Sequence, residues 1–264
     1  GGGDGMECAV DPFDSRYSYS TYVAGVTTRF YNNGNSRTVA GKDVYGITEE
    51  GAWVAPFLIS EGDGNTMVFG FKNVWICRNI KTAGNPVWTK ISDNLAGSNS
   101  ENMSCLEQSP ADLNLLYAVR SDNKVFRTEN LLGNPVIWTN ITANLPVNGT
   151  PSDLECHPYD ANIVYMVLNK KVYKSVNKGG TWVNISGSLP AVDFNTIVFD
   201  KTSHEGLYIG TDAGVYYKDA DMADWVLYGS ALPVSVEVSE LEIYNDPRDR
   251  SASKLRASTY GRGA

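Results

Sequence analysis

Three carboxylates of the sequence occupy one position of a recurring segment. Glu7, Asp153 and Glu242 begin three copies of it, and Cys105 and Thr196 stand at the same position in two others. Carboxylates that converge could hold a cation, or act as acid and base on a sugar. We take all three as candidate catalytic and ligand-binding residues. The alternative is a solvated acidic rim, because Asp and Glu side chains are usually exposed.

Tyrosines lie close to the first of these carboxylates. Tyr17, Tyr19 and Tyr22 alternate with polar residues. One face of such a strand could offer aromatic rings for stacking on a sugar, and this makes Tyr22 a further candidate ligand-binding residue. The alternative is packing between neighbouring strands.

The two histidines limit the remaining chemistry. His157 has Asp11, Ser109 and Asp200 as its equivalents, and all four side chains form hydrogen bonds. This pattern predicts a turn cap. His204 lies in a polar loop and is predicted to be exposed. A nucleophilic Ser/His/Asp set is not indicated.

The four cysteines, Cys8, Cys77, Cys105 and Cys156, show no CxxC spacing, so a zinc site is not expected. Each lies in an apolar, strand-like run, which favours buried free thiols, and at least one disulfide is the alternative. No dinucleotide, P-loop or EF-hand motif is present. We expect no cofactor, with a structural cation as the alternative.

These residues are placed by an internal repeat. Asp153-Leu154-Glu155 and Cys105-Leu106-Glu107 begin two copies displaced by 48 residues. Each copy continues with two further apolar runs and a run led by tryptophan, as at Trp88, Trp138 and Trp182. The repeats cover approximately residues 5–54, 55–102, 103–147, 148–191, 192–234 and 235–264.

Four short strands per repeat, rich in β-branched and aromatic residues, are typical of one β-propeller blade. The sequence therefore predicts an all-β chain, a single β-propeller domain over residues 1–264 built of four-stranded antiparallel blades. In the first repeat we assign the tryptophan position to Trp53, which implies a polar insertion before it. The sixth repeat supplies two strands, so we expect a longer propeller, completed by further sequence or by a second chain. The alternative is a six-bladed ring with one thin blade.

One hairpin carries a family resemblance. Ser175, Asn177, Gly179, Thr181 and Trp182 resemble an Asp-box, with Asn177 where aspartate is usual. This box is the signature of BNR-repeat propellers, which include sialidases, sortilin-like Vps10 domains and xyloglucanase-type glycoside hydrolases. The resemblance implies a structural role for these five residues in the turn between third and fourth strands.

Charge and hydropathy exclude several classes of partner. The net charge of −8 argues against a nucleic-acid groove and against an anionic membrane surface. No run of apolar residues is long enough to span a bilayer.

The sequence favours a secreted or cell-surface recognition module, of bacterial type, that binds polysaccharide or protein and is non-catalytic by itself. The first alternative is a glycoside hydrolase of xyloglucanase type, or part of one, using carboxylates at the channel mouth. A sialidase is disfavoured because arginine is sparse and the family's early Arg-Ile-Pro motif is missing. The second alternative is a structural component of a larger surface assembly.

Overall fold

The computed structural model describes residues 6–32, 34–93, 95, 101–229, 236–246 and 249–259. The first five residues, Pro247 and the closing residues 260–264, which belong to the predicted propeller domain, lie outside this part. Two compact units are present, Gly1–Ala143 and Asn144–Ala264. The described residues are almost entirely β-strand, turn and loop, with three short 3₁₀ helices at Val23–Gly25, Thr142–Asn144 and Arg250–Ala252.

The first unit contains three four-stranded sheets. Sheet 1 has strands β1 (Cys8–Val10), β2 (Tyr17–Thr21), β3 (Thr27–Tyr31) and β4 (Asn35–Ala40). Sheet 2 has β5 (Phe57–Ile59), β6 (Met67–Gly70), β7 (Val74–Cys77) and β8 (Trp88–Lys90). Sheet 3 has β9 (Met103–Gln108), β10 (Leu116–Arg120), β11 (Lys124–Thr128) and β12 (Trp138–Asn140).

The second unit contains two four-stranded sheets and a two-stranded one. Sheet 4 has β13 (Asp153–Cys156), β14 (Val164–Leu168), β15 (Lys171–Ser175) and β16 (Val183–Asn184). Sheet 5 has β17 (Phe194–Asp200), β18 (Gly206–Thr211), β19 (Gly214–Lys218) and β20 (Val226–Tyr228). Sheet 6 has β21 (Val238–Tyr244) and β22 (Lys254–Thr259), and within the described residues it has no third strand.

Each sheet is an antiparallel meander in which consecutive strands pair. Every residue of β10 and of β14 is buried. Within each unit, neighbouring sheets pack face to face. Apolar cores therefore lie between neighbouring sheets. Between sheets 1 and 2 the core includes Tyr19, Val39, Phe69 and Trp88, and between sheets 4 and 5 it includes Tyr165, Val167, Ile197 and Trp225.

Three of the tryptophans at the start of fourth strands join neighbouring sheets by hydrogen bonds as well as by packing. The indole N–H of Trp88 donates to the carbonyl of Val39 at 2.8 Å, and that of Trp225 donates to Ile185 at 2.8 Å. Trp138 donates in the same way to Ile91 at 2.9 Å. A buried indole N–H needs an acceptor, so these bonds fix the register of one sheet against the next.

The assignment of Trp53 to a fourth strand is wrong. The fourth strand of sheet 1 is Asn35–Ala40, inside the segment predicted to be a polar insertion. It pairs with Thr27–Tyr31 and contains no tryptophan. Trp53 lies instead in the connection from sheet 1 to sheet 2.

Two side chains also differ from expectation in their burial. Cys8 is an exposed thiol, whereas Cys77, Cys105 and Cys156 are buried, and none of these four cysteines is in a disulfide bond. Tyr19, considered above for ligand stacking, is almost fully buried in the core between sheets 1 and 2. Among the described residues, none of the helices is long and apolar enough to cross a membrane.

Candidate functional site

Glu7 and Tyr22 lie at the same end of sheet 1. The residue before β1, Glu7, pairs through its backbone with Thr21, the last residue of β2: the Thr21 N–H donates to the Glu7 carbonyl at 2.8 Å. The Glu7 N–H donates to the Thr21 hydroxyl at 2.9 Å. Tyr22 follows directly, and 44% of its side chain is exposed. Two of the residues predicted from the sequence are therefore neighbours in the first unit.

Trp53 is an exposed aromatic residue that the sequence did not assign to a site. Its side chain is 66% exposed, whereas Trp75, Trp88 and Trp225 are almost fully buried. The N–H of Gly51 donates to the carbonyl of Ala24 at 3.2 Å, and Ala24 belongs to the turn that Tyr22 begins. Trp53 and Tyr22 thus project from two segments that are hydrogen-bonded to each other.

The segment that carries Trp53 is fixed to sheet 2 by Glu49. This carboxylate accepts hydrogen bonds from the N–H of Asn73 at 2.8 Å, from its side-chain amide at 2.8 Å and from the indole of Trp75 at 3.1 Å. The amide of Asn102 donates to the Glu50 carbonyl at 3.0 Å and accepts from the N–H of Ala52 at 3.2 Å. These bonds restrain the backbone immediately before Trp53.

The chain turns sharply where Trp53 is exposed. A methyl group added at Gly51 would come within 2.8 Å of the Ala55 side chain, so these two residues are in close contact. Ala55 is buried, while Trp53 and Val54 between them are exposed. The indole therefore sits at the apex of a bend whose base is packed.

Asp153, in the second unit, uses its carboxylate to join sheets 4 and 5. One oxygen accepts from the N–H of Ile197 at 3.0 Å and from the hydroxyl of Thr196 at 3.1 Å. The other oxygen accepts from the N–H of Leu154 at 2.8 Å. Glu155 makes a similar link, accepting from the N–H of Phe199 at 3.1 Å. These bonds give Asp153 a positioning role between first strands.

Glu242 is exposed on β21, opposite Arg256 in the strand pair. Its neighbour Glu240, which is not one of the site residues predicted from the sequence, keeps contact with solvent but is partly desolvated by the surrounding protein. This desolvation, followed by the negative charges of Glu242 and Asp153, raises the pKa of Glu240. The signal in the sequence was the close spacing of carboxylates in Glu237, Glu240 and Glu242. Glu7 belongs to the first unit, and Asp153 and Glu242 belong to the second.

His157 caps a turn, as predicted. Its Nδ1 accepts hydrogen bonds from the N–H of Tyr159 at 3.2 Å and of Asp160 at 3.1 Å. Aspartates cap the equivalent turns in other sheets. Asp11 accepts from the N–H groups of Phe13 and Asp14, and Asp200 accepts from the N–H of Thr202 and the hydroxyl of Ser203. His204 is exposed, which confirms the second expectation for histidine.

The Asp-box-like hairpin joins β15 to β16 and is held by its own polar side chains. Asn177 accepts from the N–H of Thr181 at 2.8 Å and from the Ser175 hydroxyl at 2.9 Å, and its amide donates to the Thr181 hydroxyl at 3.1 Å. Gly179, with φ of 79°, adopts the left-handed conformation that the turn requires. Two other hairpins contain the same kind of hydrogen bond, in which an asparagine side chain accepts from the N–H of the residue before tryptophan. Asn79 accepts from Val87 at 2.8 Å, and Asn130 accepts from Ile137 at 2.7 Å.

Other concave or charged regions offer less chemistry. A shallow hollow of about 440 Å³ lies at the opposite end of sheet 1 from Tyr22, against Phe30 and Tyr31. Its cation, Arg16, is held by the carboxylate of Asp14 through bonds of 2.6 and 2.8 Å. Within the described ranges, no three His, Cys, Asp or Glu side chains are grouped so that they could hold a metal ion.

The sequence matches no family model and is similar to no curated protein. Solved structures match it in fold. An ancestral GH74 enzyme superposes with a TM-score of 0.73 at 18% identity, over 98% of this chain and 35% of that one. The chain thus spans about a third of that enzyme's length.

Two further structures are not described as enzymes. YCF48, bound to D1 peptide, superposes with a TM-score of 0.60 at 12% identity, over 96% of this chain and 74% of its own. An auxiliary nutrient binding protein from Bacteroides thetaiotaomicron gives 0.61 at 14% identity, over 96% and 69%. The chain is a β-propeller. The propeller places first strands side by side within each unit, and the candidate carboxylates lie on or next to those strands.

Proposed function

We propose that this propeller is a non-catalytic recognition module, secreted or on the surface of a bacterial cell, that binds a polysaccharide or protein ligand. The observation that supports this proposal is the exposure of Trp53 and Tyr22, two aromatic residues on segments that are hydrogen-bonded to each other, with Glu7 next to Tyr22. Rigid aromatic side chains held in the solvent are typical of binding sites, because little conformational entropy is lost when a ligand covers them.

The hydrogen bonds of Asp153 argue against a catalytic role for this carboxylate. A general acid or nucleophile needs a carboxylate free to meet substrate. Asp153 accepts three hydrogen bonds from neighbouring backbone and hydroxyl groups, so its oxygens are engaged in the scaffold. We further propose that the Asn79, Asn130 and Asn177 hairpins are degenerate Asp-boxes, whose hydrogen bonds stabilise turns and do not contact ligand.

The structural neighbours include GH74 enzymes and two proteins described as bound to a peptide or as binding a nutrient. At these identities the likeness shows the fold alone, so the nature of the ligand is taken from the site. The net charge of −8 disfavours a strongly acidic ligand.

The proposal is tested by measuring binding and hydrolysis with the same purified chain. Neutral and acidic polysaccharides and a peptide library are screened by calorimetry, and release of reducing sugar is followed in parallel. We expect saturable binding without turnover. Hydrolysis at ordinary enzymic rates that is lost in Glu7→Gln or Asp153→Asn would overturn the proposal in favour of a glycoside hydrolase. Absence of binding to every probe would overturn it as well.

A further inference from the structure

We propose that Trp53 and Tyr22 form a stacking platform for the pyranose rings of a neutral polysaccharide, with Glu7 near Tyr22 contributing negative charge. This inference rests on the recognition function proposed above and names its site and ligand class.

The exposure of Trp53 sets it apart from the tryptophans that hold the sheets together. The indole N–H groups of Trp88, Trp138 and Trp225 each donate to a carbonyl of the preceding sheet. Trp53 has no hydrogen-bond partner among the residues that the structure describes, and two-thirds of its surface faces solvent. An indole in this position adds nothing to the core and leaves both its ring face and its N–H available.

The bend that presents Trp53 is preorganised. The Glu49 carboxylate, the Asn102 amide and the Gly51 N–H together fix the backbone from Glu49 to Ala52. Ala55 anchors the far side of the bend in the core between sheets 1 and 2. A ligand ring that stacks on the indole would therefore meet a surface already in place, and its affinity would not be reduced by ordering a loop.

The exposed area of Trp53 and Tyr22 suits a sugar ligand better than a folded protein partner. On a scale of about 150–250 Å² per aromatic side chain, the exposed parts of Trp53 and Tyr22 add up to roughly 250 Å². A protein partner of ordinary affinity covers about 800 Å² on each side, centred on a buried apolar cluster. A pyranose ring has an apolar face of C–H groups and a rim of hydroxyls, so it needs one or two aromatic faces and a few acceptors.

The charged residues near Trp53 and Tyr22 favour a neutral ligand. Glu7 lies beside Tyr22, and Lys42, which precedes Trp53 in the chain, is paired with Glu50 at 3.6 Å. Sugar hydroxyls can donate to carboxylates, whereas a uronic acid would be repelled. We therefore expect binding of neutral glycans and much weaker binding of polyuronates.

The experiment compares the full chain with Trp53→Ala and Trp53→Phe. The probes are cellohexaose and mannohexaose as neutral glycans, hexagalacturonate as an acidic one, and the peptide library. Tyr159→Ala is the matched control, because Tyr159 is 72% exposed on a turn of the other unit. Binding is measured by calorimetry, and access to the exposed indole is measured by acrylamide quenching of fluorescence.

We expect a neutral glycan to protect the wild-type indole from quenching. Trp53→Ala should weaken its binding by at least about tenfold, with an intermediate loss in Trp53→Phe and none in Tyr159→Ala. Thermal melting should be the same in all variants, since both side chains are exposed. Glycan binding that persists in Trp53→Ala overturns the platform but leaves the recognition function standing. Peptide binding that depends on Trp53 overturns the glycan assignment, and no binding of any probe by the wild type overturns both proposals.

Discussion

Replacement of His157 separates the capping role of this side chain from its packing. The imidazole is buried, accepts two backbone hydrogen bonds through Nδ1 and meets the ring of Phe199 edge-on, with centroids 4.8 Å apart. His157→Ala removes both the acceptor and the ring. His157→Asn keeps an acceptor at the position, as the equivalent Asp11 and Asp200 do, and removes the ring alone.

The magnitude follows from these contacts. Two neutral hydrogen bonds contribute about 1 kcal/mol each, and the aromatic contact contributes about 1 kcal/mol more. We expect His157→Ala to lower the free energy of unfolding of this sheet by about 3 kcal/mol and His157→Asn by about 1 kcal/mol. The comparison is made by urea unfolding near pH 8, where the imidazole is neutral.

The same residue makes a prediction about pH. Burial of the imidazole lowers the pKa of His157 below its ordinary 6.5, with opposing effects of Glu205 and Lys174 nearby. The unfolded chain therefore takes up the proton at a higher pH than the folded chain does. Stability is complete above about pH 6.5 and falls as the pH drops towards the folded-state value, because a protonated Nδ1 no longer accepts the two N–H groups.

Urea unfolding of the wild type and of His157→Asn between about pH 8 and pH 5.5 tests this reasoning. Stability of the wild type should decrease over this range more than stability of the asparagine variant does. Equal losses in His157→Ala and His157→Asn at pH 8, or identical pH slopes for the wild type and His157→Asn, would refute the capping argument.

Three further predictions concern side chains between and within sheets. Desolvation and neighbouring carboxylates raise the pKa of Glu240 above 4.5, so its ionised form destabilises the fold. Glu240→Gln should therefore raise the urea midpoint of unfolding near pH 7.5, and this gain should be lost near pH 4. A gain that is equal at both pH values would contradict this. Asp153→Asn should cost about 1–3 kcal/mol in thermal unfolding, since an amide cannot accept as many bonds, and an unchanged stability would exclude the link to Ile197. Asn177→Ala should cost about 1 kcal/mol while Asn177→Asp costs none, and equal losses would show that the acceptor is unimportant.

The sequence alone was sufficient for the repeating sheets and for the turn caps. Strand alternation and the spacing of Trp88, Trp138 and Trp182 predicted four-stranded units, because short-range periodicity is encoded residue by residue. The equivalence of His157 with Asp11 and Asp200 predicted the cap for the same reason, since a turn is a local structure and its hydrogen bonds join residues two or three apart.

The site depended on contacts between distant residues, which spacing does not specify. The repeat predicts that Trp53 begins a fourth strand and is packed. The fourth strand, β4, instead forms earlier in the chain, and Trp53 is exposed at the surface. Asp153 and Glu242 share one position in the repeat, but Asp153 bonds the next sheet whereas Glu242 is exposed. Burial and hydrogen-bond partners are set by whichever segment packs alongside. For these residues that segment lies tens of positions away, and only folding brings it into contact.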